Sequence, residues 1–271
     1  MSAQLRAAVP GQAGALLAEL GDKAVVHDLY DEVGALVYHA IAGDDTFEVR
    51  ELVGSLRSTT GPILELAAGS GRLTLPLLTL GCELVALELA PGMIRLLEQR
   101  LRTVPASRSD RCTVVAGDMS DFDLGRTFGA IVLGTTSISL LDAAGRAGLY
   151  RCVRRHLAPG GRFLLTAVDV PGFGCSTTEQ VLDVDCADGT RLRMHEHWTE
   201  GADVRTVTIF PRPLETAEPP ITVCTTRIGV FPATQLETEL AAAGLLVTTR
   251  QALPATASHH HDVLLVAEVA G

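Results

Sequence analysis

Residues Gly61–Pro76 read GPILELAAGSGRLTLP. A short apolar run leads into a turn of small residues, and a helix follows. Such a turn lets a ligand approach the backbone closely, because glycine adopts positive φ without steric cost. The ligand is what has to be decided. A dinucleotide loop reads G-x-G-x-x-G, with the third glycine packing helix against strand. Here Gly69, Ser70 and Gly71 are followed by Arg72, Leu73 and Thr74, so that glycine is missing. The G-K-[ST] of a Walker loop is missing as well. Glu65 instead stands four residues before Gly69, giving E-x-x-x-G-x-G. A carboxylate at that point suits a ligand ammonium and would repel a pyrophosphate.

Outward from this stretch the chain alternates. ELVALEL leads to a helix from Pro91 to about Thr103. CTVVAGD and GAIVLG read as strands, a helix spans about Asp142 to Leu157, APGG at 158–161 reads as a turn, and FLLTAVD is a strand. Strand–helix alternation with apolar strands predicts an α/β fold with a mostly parallel sheet covered on both faces. After Pro171 the pattern changes to short strands joined at Asp188-Gly189 and near Gly201, a hairpin signal. Residues 171–230 are therefore expected to form an antiparallel β insertion. Residues 59–170 and 231–271 form the α/β core, closed by LVTTRQAL and HDVLLVAEV. Residues 24–58 read as helical, with Val26, Leu29, Val33, Leu36 and Val37 on one face.

The chain has 271 residues, a formal net charge of -10, 47% hydrophobic and 4% aromatic residues, so aliphatic side chains must build the core. An acidic balance argues against a nucleic-acid partner, which calls for a basic face. The six cysteines form no C-x-x-C pair, so no metal site is expected. No basic leader and no long apolar span is evident, which predicts a cytoplasmic protein without membrane association.

Ligands of open α/β sheets sit beyond the carboxyl ends of the strands. Glu88 ends the second strand, placed to accept from two ribose hydroxyls. Asp118 ends the third, placed for an adenine amino group, and Met93 and Met119 stand where they would flank the ring. With Glu65 for an ammonium, these describe a ribose, an adenine and an amino acid without phosphates.

These residues carry a resemblance to the class I S-adenosylmethionine-dependent methyltransferases. ELAAGSGRL looks like their first motif, VALEL the second, AGDM the third and HLAPGGRFLL the approach to the strand after the catalytic loop. The resemblance covers residues 60–170. It implies a Rossmann-like sheet of seven strands, the last antiparallel, with S-adenosyl-L-methionine as cofactor. The cofactor contacts it implies are Tyr30, Glu65, Ala67, Gly69, Gly71, Glu88, Leu89, Met93, Asp118, Met119, Gly134 and Thr135. The stretch TTSISLLDAAGRAGLYRCVRRHLAPGGRFLL is similar to methyltransferases of peptide natural products, those of glycopeptide antibiotics and of daptide-type ribosomal peptides.

The resemblance further implies that residues 1–58 close over the cofactor and that the insertion is a wall or lid of the acceptor site, with a homodimer contact as a further expectation. His27, Tyr30, Tyr38, His39 and Trp198 are then candidate substrate contacts. In RLRMHEHW, alternation puts Arg191, Arg193, His195 and His197 on one face. His195 and His197 are the candidate catalytic pair, since an amine must lose a proton before its lone pair can attack and histidine titrates near neutrality. One of His259, His260 and His261 is a further substrate candidate. The expected activity is N-methylation of an amine on a small-molecule or peptide natural product. O-methylation and a non-catalytic S-adenosylmethionine sensor are the alternatives.

Overall fold

The computed structural model describes residues 2–43, 46, 48–134, 137–169, 177–254 and 261–270. In chain order the elements are α1 (Ser2–Ala7), α2 (Gly11–Leu20), β1 (Ala24–Asp28), α3 (Gly34–Ala42), α4 (Val49–Leu56), β2 (Ile63–Leu66), α5 (Thr74–Leu77), β3 (Leu84–Glu88), α6 (Pro91–Leu101), α7 (Ala106–Ser109), β4 (Cys112–Ala116) and β5 (Phe128–Leu133). There follow α8 (Ala143–His156), β6 (Leu157–Asp169), β7 (Thr178–Asp185), β8 (Arg191–Trp198), β9 (Val204–Pro211), β10 (Ile221–Gly229), α9 (Ala233–Ala242), β11 (Leu245–Ala252) and β12 (His261–Val269). The chain divides into two units, residues 1–44 with 172–230, and residues 45–171 with 231–271.

The larger unit is a seven-stranded sheet in the order β11-β12-β6-β5-β2-β3-β4. Its strands run parallel except β12, which is antiparallel to both neighbours. Strand alternation sends Leu64, Leu66, Ile131 and Leu133 to one face, under Tyr150 and Val153 of α8 and Leu236 and Leu240 of α9. Ile63, Ala130, Val132 and Leu164 go to the other, under Leu52 and Leu56 of α4, Leu77 of α5 and Leu97 of α6. Both faces are buried, which is why the strands read as continuous apolar runs. The order reverses between β2 and β5, and this is the switch point where such sheets bind ligands.

The smaller unit is a five-stranded sheet, β1-β10-β9-β8-β7, antiparallel except for the β1–β10 pair. Gly189 and Gly201, at φ 87° and 72°, make the hairpin turns that Asp-Gly and the second glycine foretold. Val9, Ala13 and Leu17 pack on one face with Val26, Phe210 and Val223.

Two sequence expectations are corrected. Ala24–Asp28 is a strand, not the start of a helix: its Val-Val pair suits a pleated surface, and pairing with β10 outweighs the helical spacing. APGG at 158–161 lies inside β6, where the register against β5 jumps from Phe128↔Leu157 to Ala130↔Arg162, so the extra residues form a bulge. Among the described residues, no helix is long and apolar enough to cross a membrane.

Candidate active site

At the switch point, the residues after β2 and β5 face each other. Ala67 has φ 49°, Gly69 φ 58° and Gly71 φ 90°, so the loop turns through positive-φ backbone three times before α5. A methyl group built on Gly69 would meet only Ala67 O, at 4.0 Å, so the backbone there lies open to a ligand. Gly71, at φ 90°, is closed instead: a methyl group on it would come within 2.6 Å of Leu97 Cδ1. Gly71 therefore does the close packing of helix against loop that the third glycine does in a dinucleotide fold.

The loop is tied to β3 by Glu88. Its Oε2 accepts the Gly69 amide and its Oε1 the Ala90 amide, both at 2.8 Å. A carboxylate has about four acceptor sites, so two remain in capacity for ribose hydroxyls. The next residue, Leu89, is 63% exposed, an apolar surface suited to a base. Asp118 accepts from the Ser120 amide and hydroxyl, both at 2.7 Å and both on Oδ1.

Glu65 is enclosed, only 2% exposed, and accepts from Thr74 Oγ1 at 2.6 Å. Burial pushes its pKa up to about 8, opposed by the Thr74 hydrogen bond and the Arg72 charge and reinforced by Glu88 and Glu48. It ties the end of β2 to the first turn of α5. Met93 is buried at the start of α6, and Met119 is packed in the core beside Phe122 and Tyr150. Gly134 directly follows β5, with Leu73 and Glu48 against it. Thr135 lies outside the described residues, as do His259 and His260 and the side chain of His261.

The spacing of single residues did not reveal the Arg72–Glu48 ion pair, both partners buried, or the Thr74 tether. The one signal was Thr74, standing where a dinucleotide loop has its third glycine.

In the smaller unit, register separates the remaining candidates. Met194, Ile209, Cys224 and His27 align across the sheet, so Met194, Glu196, Trp198, His27 and Leu29 share a face. Tyr30 and Tyr38 pack on this face, their rings 5.6 Å apart. His27 Nδ1 lies 3.2 Å from Asp31 Oδ2, Trp198 donates to Ala202 O at 2.7 Å, and Glu196 pairs with Arg205 at 2.7 Å. His39, on α3, lies where its charge reaches Asp188.

His195 occupies the opposite face, in a row with Val181, Thr208 and Thr225. Phe210 meets its ring edge-on at 5.3 Å. It is buried, and among the described residues neither ring nitrogen has a hydrogen-bond partner; burial, then Arg193, lowers its pKa. His197 Nδ1 is 3.6 Å from Glu179 Oε1, which accepts the Gln12 amide at the start of α2. The histidine pair and the tyrosine pair are thus brought to opposite faces of one sheet.

An open glycine backbone, a clamped acid at the end of β3, an exposed leucine beside it and an acid at the end of β4 fit a nucleoside with an amino-acid arm. A methyltransferase-domain family model matches residues 63–161, the same stretch. The chain belongs to the class I S-adenosylmethionine-dependent methyltransferases. It is an enzyme, and its methyl donor is S-adenosyl-L-methionine.

Among solved structures it is similar to the glycopeptide N-methyltransferase MtfA in complex with S-adenosyl-L-homocysteine. The two are 37% identical, with 97% of this chain and 99% of that one covered and a TM-score of 0.70. The CcbJ methyltransferase of Streptomyces caelestis is similar in fold, at 21% identity over 90% of this chain and 99% of that one, with a TM-score of 0.75. The mycinamicin-resistance protein MyrB of Micromonospora griseorubida is 29% identical over 145 residues, 49% of this chain and 44% of that relative. The chain thus matches less than half the length of this curated relative.

Proposed function

We propose that the enzyme N-methylates an amine of a small-molecule or peptide natural product. One observation carries this reading. The similarity to a glycopeptide N-methyltransferase runs over 97% of the chain and includes the five-stranded unit, not the cofactor unit alone. A relative that shared only the cofactor-binding half would say nothing of the acceptor.

The cofactor supplies a methyl group already activated by the adjoining sulfonium. The protein's work is alignment and exclusion of water. In this reading the glycine loop and Glu88 hold the nucleoside and Leu89 covers the base. Acceptor recognition belongs to the face that carries His27, Tyr30, Tyr38 and Trp198, with His39 on α3. Tyrosines suit an amine that is cationic before it gives up its proton. The acidic net charge draws the same cation toward the enzyme. His195 and His197, on the other face, are not needed for acceptor contact. The reading places the enzyme in the cytoplasm, where its thiols stay reduced.

The test is incubation with S-adenosylmethionine and paired acceptors that differ only in an amine or a hydroxyl, read by mass spectrometry. Addition of one or more methyl groups to the amine alone supports N-methylation. Methylation of the hydroxyl alone makes the enzyme an O-methyltransferase and sinks the reading.

A further inference from the structure

Among the described residues, two that are not glycine have positive φ: Ala67 at 49° and Glu48 at 60°. Non-glycine residues held there cost free energy and persist where the surroundings impose them, most often at functional sites. These two stand at the same place. Ala67 follows β2. The Glu48 carboxylate lies against Gly134, which follows β5; a methyl group on Gly134 would come within 3.0 Å of Glu48 Oε1. Both therefore border the switch point. The strands β2 and β5 are neighbours, with Leu66 opposite Leu133.

Between them runs a buried ion pair. Arg72, the residue after Gly71, donates Nη2 to Glu48 Oε1. Arg72 thus anchors the end of the glycine loop to a residue that touches the end of β5. A buried ion pair is a poor source of stability, because desolvating two charges offsets most of their attraction. A strained backbone at Glu48 adds cost. What the arrangement does supply is geometry: it sets residues 67–72 at one distance from Gly134. The Arg72 and Glu48 charges also act on Glu65, which tethers the other side of the loop.

We propose that Glu48 and Arg72 are a positioning pair, which holds the glycine loop against the end of β5 in the spacing that the amino-acid arm of S-adenosylmethionine requires. Neither is assigned a direct contact with the cofactor; Glu48 acts through Arg72, and Arg72 through the loop. The inference rests on the cofactor assignment and is independent of the acceptor.

The test is calorimetric titration of the full chain with S-adenosylmethionine and S-adenosylhomocysteine, alongside thermal melts. The variants are Arg72→Lys and the double neutral variant Glu48→Gln with Arg72→Met, which removes both charges and leaves neither unpaired. The double variant is expected to fold, with a Tm near that of the parent, and to bind both ligands about tenfold or more weakly. Arg72→Lys, which keeps the charge but loses the forked geometry, falls between. Parent-like affinity in a folded double variant overturns the proposal. If the double variant does not fold, Arg72→Lys decides: parent-like affinity overturns the proposal, and weaker binding at an unchanged Tm supports it. Weaker binding that only tracks a lowered Tm and recovers on cooling also overturns it. Failure of the unaltered protein to bind either ligand would instead overturn the cofactor assignment.

Discussion

Glu88 Oε2 accepts the backbone amide of Gly69 at 2.8 Å, so the end of β3 and the glycine loop after β2 are held together by one carboxylate. The same side chain accepts the Ala90 amide. Two amides fix its orientation before any ligand arrives. Replacing Glu88 with Ala should remove both the ribose acceptor and the loop tether. Hydrogen bonds to a charged group are worth about 1.5–3 kcal/mol each, so S-adenosylmethionine affinity should fall at least about tenfold. Isothermal titration checks this; unchanged affinity would show that the ribose is held elsewhere.

The Glu65 proton should be visible in stability. Its pKa rises from the ordinary 4.5 to about 8 in the folded state, chiefly through burial. Between those two values the folded protein keeps a proton that the unfolded chain has released. Rising pH therefore favours unfolding across that window, and below the lower value the effect is absent. The penalty at pH 8 is on the order of a few kcal/mol. Glu65→Gln should flatten the loss of Tm between pH 5 and pH 8 (values on the order of this window). Parallel pH profiles for parent and variant would refute the assignment.

Ala67 and Gly71 should respond to opposite substitutions. Left-handed backbone costs an L-residue with a side chain about 1–2 kcal/mol, so Ala67→Gly is expected to stabilise by about 1 kcal/mol or less once the more flexible unfolded chain is counted. Gly71→Ala should destabilise by more than that. It combines φ 90° with a contact of 2.6 Å to Leu97 Cδ1. Denaturant midpoints of the two variants measure both effects.

His195 tests the proposed assignment of acceptor recognition to the opposite face of its sheet. Its pKa is lowered, mostly by burial, so the folded state disfavours the charged ring. Stability should then fall as pH drops below the ordinary histidine value of 6.5, where the unfolded chain takes up the proton. His195→Leu should remove that acid sensitivity and leave kcat within a few-fold of the parent. A loss of about a hundredfold or more, the contribution of a general base, would return His195 to the active site.

Arg146 ties α8 to α9 by a buried guanidinium. It is buried, makes two 2.8 Å bonds to Glu239 of α9, donates to Leu141 O and stacks 4.0 Å above the Phe231 ring. Removing one partner of such a pair costs about 3–5 kcal/mol. Arg146→Met should therefore lower Tm by many degrees, more than Glu83→Gln, which breaks the exposed pair with Arg126. Equal shifts would mean that burial adds nothing to this pair.

Much of the cofactor unit was legible in the chain. Ile63–Leu66, Leu84–Glu88 and Phe128–Leu133 announce buried parallel strands, and Pro91 and Asp142 mark where α6 and α8 begin. The acids Glu65, Glu88 and Asp118 stand at the ends of consecutive strands, which is local information. Ala24–Asp28 was not legible as a strand, since its partner, Ile221–Gly229, lies about two hundred residues later and no local window contains it. The Arg72–Glu48 pair was hidden for the same reason, being made across a turn and two elements.

By itself the sequence determined the class of fold, the glycine loop and the residue types at each strand end, because periodicity, turn chemistry and motif spacing are properties of neighbours along the chain. Tertiary structure alone decided which of those residues meet. It turned Glu65 inward to Thr74, buried Met93 and Met119, and assigned His195 and Tyr30 to opposite faces of one sheet. Register and burial are long-range quantities: a strand's alternation is written in its own residues, but which face meets water, core or ligand depends on every strand paired beside it.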